Sequence, residues 1–241
     1  MFVFDSPGLD EREWLITNGI GGYASSTLVG ANTRTYHGLL IASLPYLRRY
    51  MVLSSLDEVV DGHELATHFY VGATHPQGYK LIKRVEVMPE KVRWVYALKK
   101  NSDENVVREL SMLHGRNSVV VDYWVPRSSV QVKPLVGFRS IHATMEDTTF
   151  EQIPRKHSVY VKFGGYELRL CASRGAYHPE DCTYYNFRYP REEERELNSV
   201  ENLFCPGTFV LEDVESFRIT ATLVNSSACN TLNIDSHQHD S

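Results

Sequence analysis

From about residue 80 onward, apolar and polar side chains alternate, and alternation is the signature of a half-buried strand because successive residues point to opposite faces. Val92, Trp94, Tyr96 and Leu98 form one such row. Tyr166, Leu168, Leu170 and Ala172 form a second, Phe217, Ile219, Ala221 and Leu223 a third, and Val159, Val161 and Phe163 a shorter fourth. Turn signals separate the rows: the polar stretch 99–103, His114-Gly115-Arg116-Asn117, and Gly164-Gly165, a two-residue link of the kind used by tight hairpins. Many short strands with regular turns predict antiparallel sheets packed face to face, an all-β sandwich. A single helix is predicted over 190–197, where Pro190 opens a run of acids and good helix formers. Its charge suggests a short, solvated connecting helix. Residues 1–225 read as the β-sandwich, and 226–241, rich in Ser, Asn, His and Asp, as a flexible polar tail.

Composition narrows the function classes. With 241 residues, 42% of them apolar, the bulk of the chain is expected to fold around a substantial core. The net charge of −5 and the scattered Lys and Arg give no footprint for a phosphate backbone, so nucleic acid is not expected as a partner. No apolar run approaches the roughly 20 residues needed to span a bilayer, and the first residues do not read as a secretory signal. The expectation is a cytoplasmic protein without a membrane partner. Cys171, Cys182, Cys205 and Cys229 form no C-x-x-C pair and are expected as reduced thiols, mostly in strands.

Three stretches resemble chemical motifs and fail on context. Gly19-Ile20-Gly21-Gly22-Tyr23-Ala24 fits G-x-G-x-x-A, but the β-branched residues after it do not open a dinucleotide-binding helix. His63 and His68 are five apart rather than the four that would place both on one helix face, so no zinc site is expected. Asp57 and Glu58 are adjacent on a predicted strand, point to opposite faces and cannot flank one glycosidic bond; a surface or capping role is expected. No cofactor and no metal are expected.

The segment that stands out runs from Trp14 to Thr27 and on through Asn32-Thr33-Arg34-Thr35-Tyr36-His37-Gly38 to Ala42. Its glycines let the backbone approach other groups closely, and Asn18, Tyr23, Arg34, Tyr36 and His37 supply planar polar and aromatic groups. That mixture suits a sugar, whose hydroxyls seek polar partners and whose C–H faces stack on rings. The alternative is a tight hairpin whose glycines serve turns and whose polar groups satisfy one another.

This segment resembles the N-terminal domain of the archaeal and bacterial type of glycogen debranching enzyme, whose pattern W-L-x-T-N-G-x-G-G-Y-A-S-S-T followed by N-T-R-x-Y-H-G-L-L-x-A is reproduced over residues 14–42. Further matches are Arg49 and the stretch Leu53 to Glu58, Pro76-Gln77-Gly78, Lys133-Pro134-Leu135 with Arg139 and His142, and the run from Glu201 to Phe209. Two departures stand out: Glu196 follows Glu194-Arg195 where the family usually has glycine, and Asn202 follows Glu201 where it has Asp. The resemblance implies a large antiparallel β-sandwich placed ahead of an α/α-barrel that carries the amylo-α-1,6-glucosidase carboxylates. This sequence ends before such a barrel, so the expectation is a non-catalytic domain with α-glucan (glycogen or a maltooligosaccharide) and an α/α-barrel domain, in cis or in trans, as partners. Asn18, Gly21, Gly22, Tyr23, Arg34, Tyr36 and His37 are then the candidate glucan-binding or domain-docking residues. The rival expectation is a protein-interaction module that docks a separate hydrolase subunit or self-associates without binding sugar.

Overall fold

The computed structural model describes residues 1–99 and 105–226. Most of the turn expected at 99–103, and the expected polar tail from 227 on with Cys229, lie outside the described residues.

Every strand pairing is antiparallel, and the pairings fall into two layers. The first runs β1 (Phe2–Asp5), β9 (Ile82–Val87), β10 (Lys91–Ala97), β11 (Asn105–Met112), the first half of β12 (Ser118–Ser140), the second half of β17 (Val200–Asn225), β15 (Tyr166–Ala172), β14 (Ser158–Phe163) and β13 (Gln152–Pro154). The second runs β2 (Glu13–Thr17), β3 (Tyr23–Thr27), β4 (Gly38–Leu44), β5 (Arg48–Val60), the second half of β12, the first half of β17 and β16 (Ala176–Arg188). β7 (Thr67–Tyr70) and β8 (Ala73–Gln77) form a hairpin that touches β16 through the pair Tyr70 and Phe187, while the short β6 (His63–Glu64) folds back on β5.

Both layers share β12 and β17, and each of these strands must bend to pass between them. In β12 the pairing register breaks between Trp124 and Val130, around Pro126, which has no amide hydrogen to give to a ladder. In β17 the bend falls at Asp213, in left-handed conformation at φ +53, between the buried Leu211 and Val214.

The core lies between the layers and is built from the rows the alternation predicts. Val92, Trp94 and Tyr96, Leu168 and Leu170, Val159, Val161 and Phe163, and Phe217, Ile219, Ala221 and Leu223 are all buried on the inner face. Trp94 of the first layer meets Trp14 of the second edge-on at 5.5 Å, and their indole N–H groups donate to the carbonyls of Leu28 and Thr27. Gly164 and Gly165 make the predicted tight link, with Phe163 paired to Tyr166 across it.

The inner face also holds an ion pair that the sequence reading misplaces. Asp57 and Glu58 do point to opposite faces, but Glu58 is buried in the core rather than at the surface, 3.3 Å from Arg108 and accepting from the Tyr123 hydroxyl. Arg108 in turn lies 5.1 Å from the Trp94 ring centroid. Burial pushes the Glu58 carboxyl up, against the pull of Arg108. Asp57, on the other face, accepts from His68 Nε2 at 2.9 Å. His68 lies on β7 and not on a helix.

The helix is shorter and less solvated than expected: α1 spans Pro190–Glu193, and Glu192 is buried. The Arg191 amide donates to Thr33 O and the Thr35 amide to Glu192 Oε1, so one face of this turn is fastened to the 31–38 loop. Glu196, the residue standing where the resembled family has glycine, is in left-handed conformation at φ +57. A side chain there costs about 1 kcal/mol more than glycine. Glu196→Gly is therefore expected to raise the melting temperature by about 2–4 °C in a thermal scan; an unchanged or lower midpoint would show that the Glu196 side chain supplies a compensating contact.

Candidate functional site

The candidate residues divide into two loops that differ in what their side chains do. The first loop, between β2 and β3, is held by Asn18. Its Oδ1 accepts from the amides of Ile20 and Gly22 at 3.1 and 2.9 Å, and its Nδ2 donates to Arg116 O and Asn117 Oδ1 at 2.9 and 3.3 Å. The Gly115 amide donates to Asn18 O at 2.7 Å. Asn18 is wholly buried, with both ends of its amide engaged inside the chain. Gly22 is required by contact: a Cβ there would lie 2.4 Å from Asn18 Nδ2 and 2.9 Å from the Ile41 carbonyl. Gly21 is exposed, and its carbonyl accepts from Arg49 Nε at 2.8 Å.

The second loop, 31–38, joins β3 to β4 and is clamped from beneath. Arg139 on β12 and Glu201 on β17 form a two-pronged ion pair at 2.5 and 2.7 Å, with neither residue more than 5% exposed. Burial opposes the Arg139 cation, but Glu201 and Tyr189 outweigh it and hold its pKa up. The third arm of the guanidinium donates to Thr35 O at 2.8 Å, and the Tyr189 hydroxyl donates to Glu201. From the side, Tyr23 OH donates to Tyr36 O at 3.0 Å, which leaves the Tyr23 ring half-buried and its hydroxyl pKa pushed up to about 12 by burial. Inside the loop, His37 is wholly buried and its Nδ1 accepts from the Thr33 amide at 3.1 Å. Its Nε2 faces Glu13 Oε1 at 3.7 Å. His37 first and Arg34 second hold the Glu13 carboxyl down at about 2.

This clamping leaves two of the candidates, Arg34 and Tyr36, facing outward. The Arg34 guanidinium pairs with Glu13 at 2.6 Å and lies 5.4 Å from the Tyr36 ring centroid. Tyr36 forms one wall of a cleft of about 550 Å³, and Glu192, Arg195, Glu196, Leu197 and Asn198 form the other, with His142 also lining it. Arg195 is steadied by Glu192 Oε2 at 3.4 Å. The cleft therefore offers an aromatic face, a guanidinium, an imidazole, a carboxamide and the Glu196 carboxylate within one hollow. Asn198 carried no signal in the sequence, and Arg195 none beyond its place in the resemblance, because both reach the cleft from a segment about 160 residues away from Tyr36. His142 was visible through the resemblance, and the departure at Glu196 was the one sign that this segment matters.

Removing one member of a buried ion pair strands the other, at a cost of about 3–5 kcal/mol. Glu201→Gln is therefore expected to lower the melting temperature by about 10 °C, and Arg139→Met to do the same. A fall of less than about 2 °C in either would show that the pair does not hold the loop.

Residues 12–217 match the family described as glycogen debranching enzyme N terminal. None of the curated proteins matches the chain. Among solved structures, a bacterial glucoamylase complexed with acarbose aligns with 99% of this chain at 9% identity and a TM-score of 0.45. The alignment takes in 34% of that enzyme, so this chain spans about a third of its length. The family match extends from the Trp14 strand through the clamp residues Arg139 and Glu201 to the last core row, and the chain belongs to the glycogen debranching enzyme N-terminal family.

Proposed function

We propose that this chain is the non-catalytic part of a cytoplasmic glycogen debranching protein, that it binds or orients α-glucan, and that it packs against an α/α-barrel amylo-α-1,6-glucosidase domain of the same or a neighbouring polypeptide during glycogen breakdown. The observation that carries this reading is the outward-facing Tyr36 ring, fixed by its clamped backbone at the edge of a cleft with Arg34 beside it and His142, Arg195 and Asn198 around it. A pyranose would stack on the ring and give its hydroxyls to the polar groups. Of the two acids in the cleft, Glu192 has both oxygens engaged, by Thr35 and Arg195. That supports a binding role over hydrolysis, which needs an acid and a base on opposite sides of the scissile bond. Asn18, Gly21, Gly22, Tyr23 and His37 shape the two loops in this reading, while Arg34 and Tyr36 make the contact.

Calorimetric titration with maltoheptaose is expected to give saturable heat at one site, weakened at least tenfold by Tyr36→Ala, or about 1.4 kcal/mol, with an unchanged melting temperature. Silence at millimolar sugar would overturn binding by this chain on its own.

A second reading, a docking module without sugar, is favoured by the turn between β4 and β5. Tyr46 and Leu47 are 92% and 90% exposed there, and both are left-handed, at φ +63 and +60. Non-glycine residues avoid that conformation by about 1–2 kcal/mol each, so an apolar tip is held out at a cost. Ile20, 46% exposed, sits on the neighbouring loop that Arg49 fastens. If this tip joins copies of the chain, sedimentation velocity will show mass rising with concentration, and Tyr46→Ser with Leu47→Ser will abolish the rise; a monomer at every concentration that also ignores an added barrel domain would dismiss the docking module.

A further inference from the structure

Cys182 on β16 and Cys205 on β17 are directly opposite one another in the antiparallel register. Opposed residues of such a pair project from the same face with Cα atoms about 4.5–5.5 Å apart, inside the range of about 4.4–6.8 Å that a disulfide spans. The face is the outer one of the second layer: Cys205 is packed there among Ile41, Met51, Leu135, Leu203 and Phe187. Tyr184, two residues along β16 from Cys182, lies close enough to both cysteines for each to help push its hydroxyl pKa up. Both thiols are free.

From this register we propose that Cys182 and Cys205 form a reversible disulfide on oxidation, a modification site that closes the segment 182–205 into a covalent loop. The inference is independent of whether the cleft binds sugar.

The two thiols have unequal roles. Cys182 is exposed, on a stretch of β16 that pairs with β17 on one side and, among the described residues, meets β7 only further along at Phe187. Cys205 is fully buried, donates to Gly207 O at 3.5 Å, and has its thiol pushed up to about 12 by burial. Cys182 is therefore the sulfur that meets an oxidant first. With hydrogen peroxide, its thiolate attacks one peroxide oxygen, the O–O bond breaks, and the hydroxide that leaves takes up a proton as water; Cys182 is then a sulfenic acid. The Cys205 sulfur attacks that sulfur, the S–O bond breaks, and the departing hydroxide leaves as water with the Cys205 proton. Two thiols and one peroxide give one disulfide and two waters, and the two electrons lost by sulfur reduce the peroxide. Cys171, half-buried on β15, pairs with Ser158 and Thr220 and has no cysteine opposite it.

The closed loop would contain α1 and the residues from Glu192 to Asn198 that form one wall of the cleft. Its ends would be tied where the ladder is interrupted, since the β16–β17 register shifts on both sides, between Pro179 and Cys182 and between Tyr184 and Phe187. A covalent tie would hold β16 on β17 and restrict the unfolded chain.

The test is peptide mapping of the full chain after a brief excess of hydrogen peroxide and alkylation. The expected result is a linked peptide carrying Cys182 and Cys205, loss of two titratable thiols, reversal by dithiothreitol, and a rise in melting temperature of roughly 5 °C. In Cys182→Ser, an exposed position at which folding is not at stake, the link and the rise are both expected to vanish. Peroxide that carries Cys182 to a sulfinic acid without a link, or that joins it to Cys229, would overturn the proposal, as would a melting temperature that rises equally in Cys182→Ser.

Discussion

The pairing of β12 with β17 is the constraint on which the rest of the molecule depends. Each strand belongs to both layers, so neither layer can form its central ladder without the other. The two bends, at Pro126 and at Asp213, turn one long hairpin-like pair into the seam of a sandwich. Its inner face then becomes a single interior, filled by the tryptophan pair at one place and by Phe138, Phe150 and Phe163 at another.

The same two strands position the site. Arg139 lies near the end of β12 and Glu201 near the start of β17, so the seam itself brings the buried ion pair together beneath the 31–38 loop. A buried pair of this kind is a costly way to gain stability, because both ions must be stripped of water. What it provides is geometry: a guanidinium with one arm on Thr35 O and two on a carboxylate has little freedom to move. Tyr36 is thus presented on a fixed backbone rather than on a mobile loop. Glu58 and Arg108 make a second buried pair between β5 and β11, tying the layers together through charge as well as packing.

The division of labour among the motif residues follows from this arrangement. Asn18 and His37 have the chemistry of ligand-binding groups, yet each is wholly buried and engaged with backbone amides of its own loop. Asn202, which replaces an acid in the resembled family, accepts from the Asn186 amide and donates to the Glu146 carbonyl, a donation that a carboxylate could not make. A motif rich in polar residues is therefore partly a recipe for a loop and only partly an inventory of contacts.

The four inward rows after residue 80 and the tight Gly164-Gly165 link were legible in the sequence because they depend on periods of two residues and on local turn geometry. The family was legible because the 14–42 segment is long and specific. The charges at Glu58 and Glu192 were misread as surface groups, since a charge on a polar-looking segment gives no local sign that a partner such as Arg108 or Thr35 will cover it. The cleft was out of reach for a related reason: Tyr36, His142 and Arg195 come from three distant segments. The sequence by itself determined the two-residue period, the turns and hence the sandwich. Which polar groups are buried as clamps and which face the cleft was decided by the bent seam alone, because burial is a property of what packs on top, and that is set by pairings between residues far apart in the chain.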